Sequence, residues 1–416
     1  MTYIFMRAFA PLINIFTIFV NLFIRRDKEI ILFGSWMGDK FTDNPRFLFQ
    51  YLYEHIEEYN IKKIIWVTRN KAVYNMLRDA QYEVYMMHSI KSIYYHFKAG
   101  VHMICNISFP VKGYAGDIMG QFSGNAIKIN MFHGVAIKAG KSTGENSKKQ
   151  GIIGKIRYVL RNSNIFNSIF TVGYWNKAYQ LSTGEECTRR DSIFCGVDPN
   201  LFIESGYPRN CKPIKLMPQE QEIVDYIREH NKVILYVPTF REHGEVPHPL
   251  SDEKLLLYIV EKGYLWVEKP HPAAKNTVRI EGFNNNVLYL DSSFDINVVL
   301  PEISILISDY SSVSYDAIAF DKPVLYYAPD YKYYLTSERG FLCDYLSLIA
   351  GFEATSVEEL INKLEKAFFD PEYRNKLIEK SKDEKKFVLN ANKEDCGQII
   401  DSISERLGIL QKKQKN

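Results

Sequence analysis

Two neighbouring serines follow a β-branched apolar run in the second half of the chain. The run, 303–308, is typical of a buried parallel strand, and the apolar spacing after Ser311 and Ser312 is helical. The pattern therefore predicts that the serines lie at a helix N-terminus, where free N–H groups and the helix dipole favour phosphate oxygens. Asp316 follows one turn later, within reach of a ligand hydroxyl. The alternative is an ordinary serine cap on an α/β helix.

Two histidines also stand beside strand-like runs. His133 follows the run 127–132 and precedes Gly134, which permits a tight turn and close approach of backbone to a ligand. His271 lies between two prolines, which fix its backbone. An imidazole at the carboxyl end of a parallel strand is placed where α/β sheets bind ligands, and it exchanges a proton near neutral pH. For His133 the alternative is a ring satisfied by backbone groups in a turn.

Polar residues follow four strand-like runs in the second half of the chain. They are Thr239 and Arg241 with Pro238, then His271 between its two prolines, then Asp291, and then Ser311 and Ser312 with Val313. Lys269 is the last residue of the second run, and strand alternation turns it to the other face unless Pro270 bends the strand. Because the carboxyl ends of parallel strands share one sheet edge, four such ends in succession predict a nucleotide crevice. Arg209 lies in a turn at 206–210, and a guanidinium binds phosphate through two parallel hydrogen bonds.

The scaffold that positions these residues is predicted to be α/β. Strand-like runs begin at residues 30, 64, 84, 101, 127, 169 and, more weakly, 192, and again at 232, 264, 287, 303 and 323. Alternation with helical stretches indicates parallel sheets, and we expect two Rossmann-like domains facing a cleft. The predicted domains are 29–205 and 206–395, flanked by an apolar segment at 1–28 and a helix with a frayed basic tail at 396–416. No GxGxxG sequence follows a strand, so a dinucleotide fingerprint is absent.

Composition narrows the class of protein. A hydrophobic content of 46% with 24% charged residues is typical of a globular chain. The net charge of +3 is too small to indicate a nucleic-acid partner, and aromatic and basic residues do not alternate on one strand. The six cysteines are scattered without a CxxC pair, which argues against a zinc site or a disulfide framework and favours a reducing, cytoplasmic location.

Residues 3–24 are strongly apolar. The segment has a weakly charged start and no small-residue cleavage site, which argues against a signal peptide. Pro11 is placed to begin a helix, and the roughly 14 residues up to the basic pair would extend ~21 Å, short of the ~30 Å bilayer core. We expect a helix in the membrane interface on the cytoplasmic face, with a polar stripe of Asn14, Thr17 and Asn21 and headgroup contacts from Arg25, Arg26 and Lys28. Packing on the protein's own body is the alternative, and a short tilted span is less favoured.

The segment 140–162 is basic and carries interspersed apolar residues. A solvated loop is one interpretation of this composition. The other is an amphipathic segment that meets anionic lipid or a polyanionic acceptor.

Five short motifs occur in one order along the chain: His133–Gly134, 206–210, 237–241, 269–272 and 308–312. Together they resemble the CDP-glycerol glycerophosphotransferase family, whose members prime or polymerise teichoic acids and related polyol-phosphate chains. The resemblance covers roughly residues 125 to 345. It implies a GT-B-type fold, a CDP-glycerol or CDP-ribitol donor, and a lipid-linked saccharide or polyol-phosphate acceptor. No cofactor is firmly implied, and a divalent metal is neither required nor excluded.

The resemblance also implies roles for single residues. His271 would contact the donor diphosphate, and Pro238 and Thr239 would lie near the cytosine. We expect His133 to take the proton of an acceptor hydroxyl that attacks the β-phosphorus as CMP leaves. The predicted catalytic residues are His133 and His271, and the predicted donor-binding residues are His133, Gly134, Val135, Ala136, Ile137, Arg209, Pro238, Thr239, Arg241, Lys269, Ser311, Ser312, Val313 and Asp316.

Two positions depart from the family pattern. Ala136 stands where proline is usual, which leaves the loop less rigid, and Cys211 replaces an aspartate at the end of the 206–210 motif. Two other functions stay open from the residues alone. One is a two-domain glycosyltransferase that uses a nucleotide sugar, because fold does not settle substrate. The other is a non-catalytic module that binds a membrane surface or a polyanionic polymer.

Overall fold

The computed structural model describes residues 9–107, 115–139, 170–242, 245–270, 279–283, 285–338 and 340–414. The basic segment 140–162 therefore lies outside the described residues, and so does His271. The first sheet contains, within them, seven parallel strands: β1 (Asp27–Phe33), β2 (Lys63–Thr68), β3 (Val84–Met86), β4 (Ala99–Ile104), β5 (Ile127–Asn130), β6 (Tyr179–Ser182) and β7 (Phe202–Glu204). Their order is β3-β2-β1-β4-β5-β6-β7.

The second sheet repeats this arrangement. Its described strands are β8 (Val233–Val237), β9 (Leu265–Glu268), β10 (Val287–Tyr289), β11 (Ile305–Ser308), β12 (Val324–Tyr327) and β13 (Glu353–Ala354), in the order β10-β9-β8-β11-β12-β13 and all parallel. In each sheet the chain first adds strands on one side of the first strand and then continues on its other side. This change of side lies between β1 and β4 in the first sheet and between β8 and β11 in the second. Open parallel sheets bind ligands at such switch points, so each sheet offers one wall of a site.

Helices cover both sheets. They are α1 (Ala10–Phe23), α2 (Asp43–Glu54), α3 (Lys71–Asp79), α4 (Ile90–Lys98), α5 (Glu185–Cys195), α6 (Pro218–Arg228), α7 (Glu253–Glu261), α8 (Val313–Ala319), α9 (Tyr345–Ile349), α10 (Val357–Phe369), α11 (Pro371–Val388) and α12 (Cys396–Leu407), with a short helical turn at Tyr331–Tyr333. Strand segments such as Ile30–Phe33 and Ile305–Ser308 are buried throughout, as β-branched runs between two helical layers must be.

Several helices begin at side chains that cap them. Asn70, Ser89, Asp370 and Asp395 each precede a helix and accept hydrogen bonds from backbone N–H groups of its first turn. Such caps satisfy donors that the helix itself leaves unpaired. The positions of α3, α4, α11 and α12 are therefore encoded locally.

The predicted strand at 169–173 is wrong for its described residues, 170–173, which form no strand: a helical turn begins at Val172, and Thr171 precedes it. The Asn14 side chain explains this, because its amide donates to the Thr171 carbonyl (3.1 Å) and its oxygen accepts from Gly173 N–H (2.9 Å). Those backbone groups are thus taken by α1 and are not available to a sheet. The weaker run at 192–194 lies inside α5, and β6 and β7 supply the strands of this region instead.

Helix α1 packs on the first domain through its polar stripe. Ala10, Asn14 and Thr17 are buried, and Thr17 Oγ1 donates to the Gln121 carbonyl at 3.3 Å. Arg26 was expected at lipid headgroups, and this is wrong: its guanidinium points inward and donates to the carbonyl oxygens of Gly124, His96, Ala99 and Phe122 at 2.6–2.9 Å. Within the described residues no helix combines the length and the hydrophobicity that crossing a bilayer requires.

The C-terminal helix returns to the first domain. Helix α12 packs against α2 and β7. The tail beyond it was predicted to fray, which is wrong as far as Lys413, because Asn60 N–H donates to the Gln411 carbonyl and Lys413 N–H donates to the Glu58 carbonyl, each at 2.8 Å. The two domains are thereby linked by α12 as well as by the connection between β7 and β8.

Candidate active site

An open cleft lies at the carboxyl ends of both sheets. Its volume is about 450 Å³, within the ~300–1,000 Å³ typical of small-molecule sites. Most predicted site residues line it: His133, Gly134, Val135, Ala136, Ile137, Arg209, Thr239, Lys269, Ser311, Ser312, Val313 and Asp316. Pro238 and Arg241 are not among the lining residues, and His271 lies outside the described residues. Residues far apart in sequence thus meet around one space.

His133 follows β5 and presents its imidazole to the cleft. The turn is tight, with left-handed backbone at Phe132 (φ 56°) and a φ of 143° at Gly134. His133 Nδ1 lies 3.4 Å from the Cys105 carbonyl oxygen. Since a carbonyl only accepts, the neutral ring donates from Nδ1 and keeps its lone pair on Nε2. The ring is therefore oriented as a proton acceptor.

The groups around His133 favour its neutral form. Burial by the cleft walls lowers the pKa of the imidazole from its ordinary value, the Asp43 carboxylate raises it, and the Arg209 guanidinium lowers it again. The ring remains exposed on its cleft side, so solvent and ligands reach it. A neutral, accessible imidazole at neutral pH is suited to general base catalysis.

The loop that carries His133 is tied to the second domain. A Cβ placed on Gly134 would lie 3.0 Å from the Ser312 Cβ, so only glycine allows the loop to pass the serine. Farther along, Ala139 N–H donates to the Gly340 carbonyl (2.7 Å) and Leu342 N–H donates to the Ile137 carbonyl (2.8 Å). We call this pairing of 137–139 with 340–342 the loop clamp.

Ala136 contributes a hydrogen bond that a proline could not make. Its backbone N–H donates to Asp191 Oδ1 at 2.8 Å. Asp191 is buried, also accepts from Tyr207 Oη at 3.2 Å, and has its pKa raised to about 7 because burial disfavours the carboxylate. The rigidity that a proline would give the loop is thus replaced by a buried side chain from α5.

Ser311 and Ser312 lie between β11 and α8, as the sequence pattern predicts. Ser312 is the residue before the helix, and its side chain forms no capping hydrogen bond. Ser311 Oγ accepts from Val313 N–H over a long 3.4 Å. The serine hydroxyls, both half-buried at the cleft, are therefore not consumed by helix capping and are available to a ligand.

Arg209 joins two carboxylates beneath the cleft. Its guanidinium donates to both carboxylate oxygens of Asp316, at 3.0 and 2.8 Å, and to Asp43 Oδ1 at 2.8 Å. All three side chains are at least nine-tenths buried. Burial raises the pKa of Asp316 to about 6, and the guanidinium opposes that rise. Arg209 therefore holds the two carboxylates together at the floor of the site. Its N–H groups that donate to Asp316 and Asp43 are not free to bind phosphate in this structure.

Asp43 is a site residue that the sequence reasoning missed. It begins α2 with a left-handed backbone (φ 67°), and its carboxylate accepts from Arg209 and from Trp36 Nε1 (3.1 Å). Its N–H donates to Asp295 Oδ2 (3.0 Å) in the second domain. The sequence feature that could have pointed to Asp43 is its place at the start of a helix, after the first strand and a turn. Trp36, Lys40 and Asp191 also line the cleft and were missed.

Arg241 anchors the loop after β8 and stands outside the lining. It pairs with Asp309 (2.9 Å) and with Asp330 (2.7 Å), and its guanidinium lies 4.8 Å from the ring centre of Tyr310. Asp309 also accepts from Thr239 N–H at 2.9 Å. Asp309, which precedes the two serines in the motif 308–312, thus holds the loop of Thr239 at the cleft wall.

The donor set of the site does not resemble a metal centre. Within the part of the chain that the structure describes, no group of three or more His, Cys, Asp or Glu side chains is arranged to hold a metal ion. All six cysteines are free thiols. The charges of the floor are instead balanced by Arg209 and Arg46, which pairs with Glu220 at 2.6 Å.

Comparison with curated proteins finds relatives in teichoic acid synthesis. A teichoic acid poly(glycerol phosphate) polymerase of Bacillus spizizenii is 23% identical over 392 residues, covering 87% of this chain and 90% of the relative. A teichoic acid glycerol-phosphate primase of Bacillus subtilis is 31% identical over 176 residues, covering 42% of this chain and 45% of the relative. Among solved structures, the wall teichoic acid polymerase TagF has a TM-score of 0.65 at 20% identity, covering 92% of this chain and 90% of that chain.

The TagF likeness shows that the chain has the same two-domain α/β fold. The family profile described as CDP-glycerol:poly(glycerophosphate) glycerophosphotransferase matches residues 16–413, nearly the whole chain. This confirms the resemblance drawn from the five motifs. It also overturns the two other functions, a nucleotide-sugar glycosyltransferase and a non-catalytic module. The chain belongs to the CDP-glycerol:poly(glycerophosphate) glycerophosphotransferase family and is a glycerophosphotransferase of teichoic acid synthesis.

Proposed function

We propose that His133 is the general base of this glycerophosphotransferase. An acceptor hydroxyl gives its proton to His133 Nε2, and its oxygen forms a bond to the β-phosphorus of CDP-glycerol. The bond from that phosphorus to the bridging oxygen breaks, and CMP leaves with the electron pair. Because phosphoryl transfer depends mainly on positioning and charge stabilisation, a fixed base and a polar wall are what the protein must supply.

The position of His133 relative to the serines carries this proposal. Gly134 passes directly beside Ser312, so the base and the serine hydroxyls border the same part of the cleft. The Ser312 hydroxyl forms no capping bond, and the Ser311 hydroxyl accepts only the long bond from Val313 N–H, so both keep their hydrogen for donation to phosphate oxygens. The predicted second catalytic histidine, His271, belongs to the same proposal on the ground of the resemblance.

The proposed donor is CDP-glycerol. One of the solved TagF structures is of a variant soaked with CDPG, which supports the family's donor for this fold. Ribitol-phosphate polymerases of Staphylococcus aureus are 32–33% identical to about two-fifths of this chain, so CDP-ribitol is the second donor to compare. The proposed acceptor is a lipid-linked saccharide or a polyol-phosphate chain end.

Mass spectrometry of the reaction product tests the proposal. The protein is incubated with a lipid-linked acceptor analogue and either CDP-glycerol, CDP-ribitol or a set of UDP-sugars. We expect a product heavier by one or more glycerol phosphates, with one CMP released for each glycerol phosphate added. A product formed from a UDP-sugar, or intact CDP-glycerol in the presence of folded protein, contradicts it. The number of units added separates a primase from a polymerase.

We further propose that α1 holds the enzyme on the cytoplasmic face of the cell membrane. The helix turns its polar stripe to the protein and its apolar side chains outward: Leu12, Ile15, Phe16, Phe19, Leu22 and Phe23 are 53–75% exposed. Arg25 and Lys28, just past the helix end, are exposed as well. Outward apolar side chains beside exposed bases match an anionic lipid surface.

A vesicle-binding experiment tests this placement. We expect the variant with Leu12, Phe19, Leu22 and Phe23 all changed to serine to bind phosphatidylglycerol vesicles at least about 100-fold more weakly, since each buried side chain contributes ~1.5–3 kcal/mol. The matched control changes Phe369 and Phe387, which are 61% and 58% exposed on α10 and α11, to serine. Equal vesicle binding by the two variants contradicts the proposal.

A further inference from the structure

Two lysines face the cleft from different domains. Lys40 lies on the loop after β1, and Lys269 directly follows β9. Both line the cleft beside the loop 292–297, which follows β10. Parallel strands of nucleotide-binding sheets end at such positions, where phosphate groups are bound.

The Lys269 ammonium has no described partner. Its residue is only 9% exposed, yet no described residue accepts a hydrogen bond from its Nζ or pairs with it. Lys40 Nζ makes one long contact, 3.4 Å to the Ser292 carbonyl oxygen, and lies 5.6 Å from the Trp36 ring centre. Charges in partly buried places are normally paired, so an ammonium that lines a cleft without a described partner is available to bind an anion there.

The nearby carboxylates do not fill this role. Asp291 accepts from the N–H and the hydroxyl of Ser293, at 2.7 and 2.5 Å. Asp295 accepts from Asp43 N–H (3.0 Å) and from the Asn297 side chain (2.8 Å). Burial, followed by the charge of Lys40, lowers the pKa of Lys269 to about 8, and these two carboxylates only partly offset that. The two ammonium groups therefore repel each other in the absence of a ligand.

We propose that Lys40, contributed by the first domain, joins the predicted donor-binding residue Lys269 in binding the donor diphosphate. The inference rests on the proposed function for the identity of the nucleotide, but not for the presence of an anion site. Lys40 thereby becomes a donor-binding residue contributed by the first domain. A bound diphosphate joins the two domains through its oxygens, and a nucleoside without phosphate does not.

Calorimetric titration with inorganic pyrophosphate tests the site without a donor. We compare the wild type with Lys40→Met, Lys269→Met and the control Lys376→Met, whose lysine is exposed on α11 and paired with Glu372. Each cleft variant is expected to bind pyrophosphate at least about tenfold more weakly, because a charge-assisted hydrogen bond is lost, whereas the control binds as the wild type does. Unchanged pyrophosphate binding in both cleft variants overturns the proposal.

Stability and charge restoration separate a ligand site from a folding defect. Lys269→Met removes an unpaired buried charge, so its melting temperature without ligand should be equal to or higher than that of the wild type, and Lys40→Arg should keep pyrophosphate binding. A melting temperature of Lys269→Met below that of the wild type contradicts the site. So does a loss of pyrophosphate binding in Lys40→Arg when Lys40→Met still binds pyrophosphate.

Titrations with CDP-glycerol and cytidine then assign the ligand. We expect the cleft variants to weaken CDP-glycerol binding and to leave cytidine binding unchanged. If the cleft variants weaken pyrophosphate binding but change only the KM of the acceptor and not CDP-glycerol binding, the lysines bind a phosphate of the acceptor, and the proposal is wrong. If pyrophosphate binding depends on the lysines while CDP-glycerol is neither bound nor turned over, the proposed function fails and the anion site stands.

Discussion

Replacing His133 by asparagine should reduce kcat for glycerol phosphate transfer by about 10²- to 10⁴-fold, the usual contribution of a general base. Asparagine keeps a donor that can reach the Cys105 carbonyl, now 3.4 Å from Nδ1, but supplies no base at the position of Nε2. Donor binding should change little, because the serine hydroxyls and the cleft floor are untouched. Product formation by mass spectrometry and CDP-glycerol binding by calorimetry measure the two effects.

The pH dependence gives a second readout for His133. Its pKa is lowered from the ordinary value by burial, so the ring is neutral and active at neutral pH. Activity should fall as the pH drops through that lowered pKa, and this acidic limb should be lost in the residual activity of the variant. His230→Asn is the control, since that ring contacts Tyr226 outside the cleft lining. Unchanged kcat in His133→Asn excludes the base role.

Arg209→Met should destabilise the folded protein by at least about 3–5 kcal/mol, the cost of leaving a buried charge without its partner. Here two carboxylates, Asp43 and Asp316, lose their shared guanidinium. Lysine is not an adequate substitute, because it cannot donate in parallel to Asp316 and still reach Asp43. Urea unfolding measures the loss in the free energy of unfolding.

The loss in Arg209→Met should depend on pH. Burial already raises the pKa of Asp316 to about 6 with the guanidinium in place, and its removal raises that pKa further. A raised carboxyl pKa contributes stability at low pH that is lost as the pH rises through the folded value. The variant should therefore be closest to the wild type near pH 5 and farthest from it near pH 8. Arg228→Met, which removes exposed ion pairs, should cost no more than about 1 kcal/mol.

Residues that follow buried strands could be predicted from sequence. Runs such as 303–308 are apolar because both sheet faces are covered, and a parallel sheet brings their ends to one edge. Ser311 and Thr239 were found for this reason, and both line the cleft. Asp43 was not found, because its partner Arg209 is 166 positions away and no local pattern records that pairing.

Helix α1 shows a second limit of sequence reasoning. Its polar stripe indicated a surface helix, but the pattern does not say which medium each side contacts. The stripe binds backbone groups of Thr171 and Gly173, which the sequence had assigned to a strand. The sequence placed the stripe against lipid instead of against the protein. This one error led to two wrong predictions, the orientation of Arg26 and the strand at 169–173.

The loop clamp determines how the two domains can separate. Pulling them apart at that rim breaks the hydrogen bonds from Ala139 and Leu342. Near Lys40 the described contacts between the domains include the 3.4 Å contact to Ser292 and the bond from Asp43 N–H to Asp295 at 3.0 Å. Because the clamp bonds the loop of the base to the backbone of the second domain, any opening of the cleft at this rim would also displace His133.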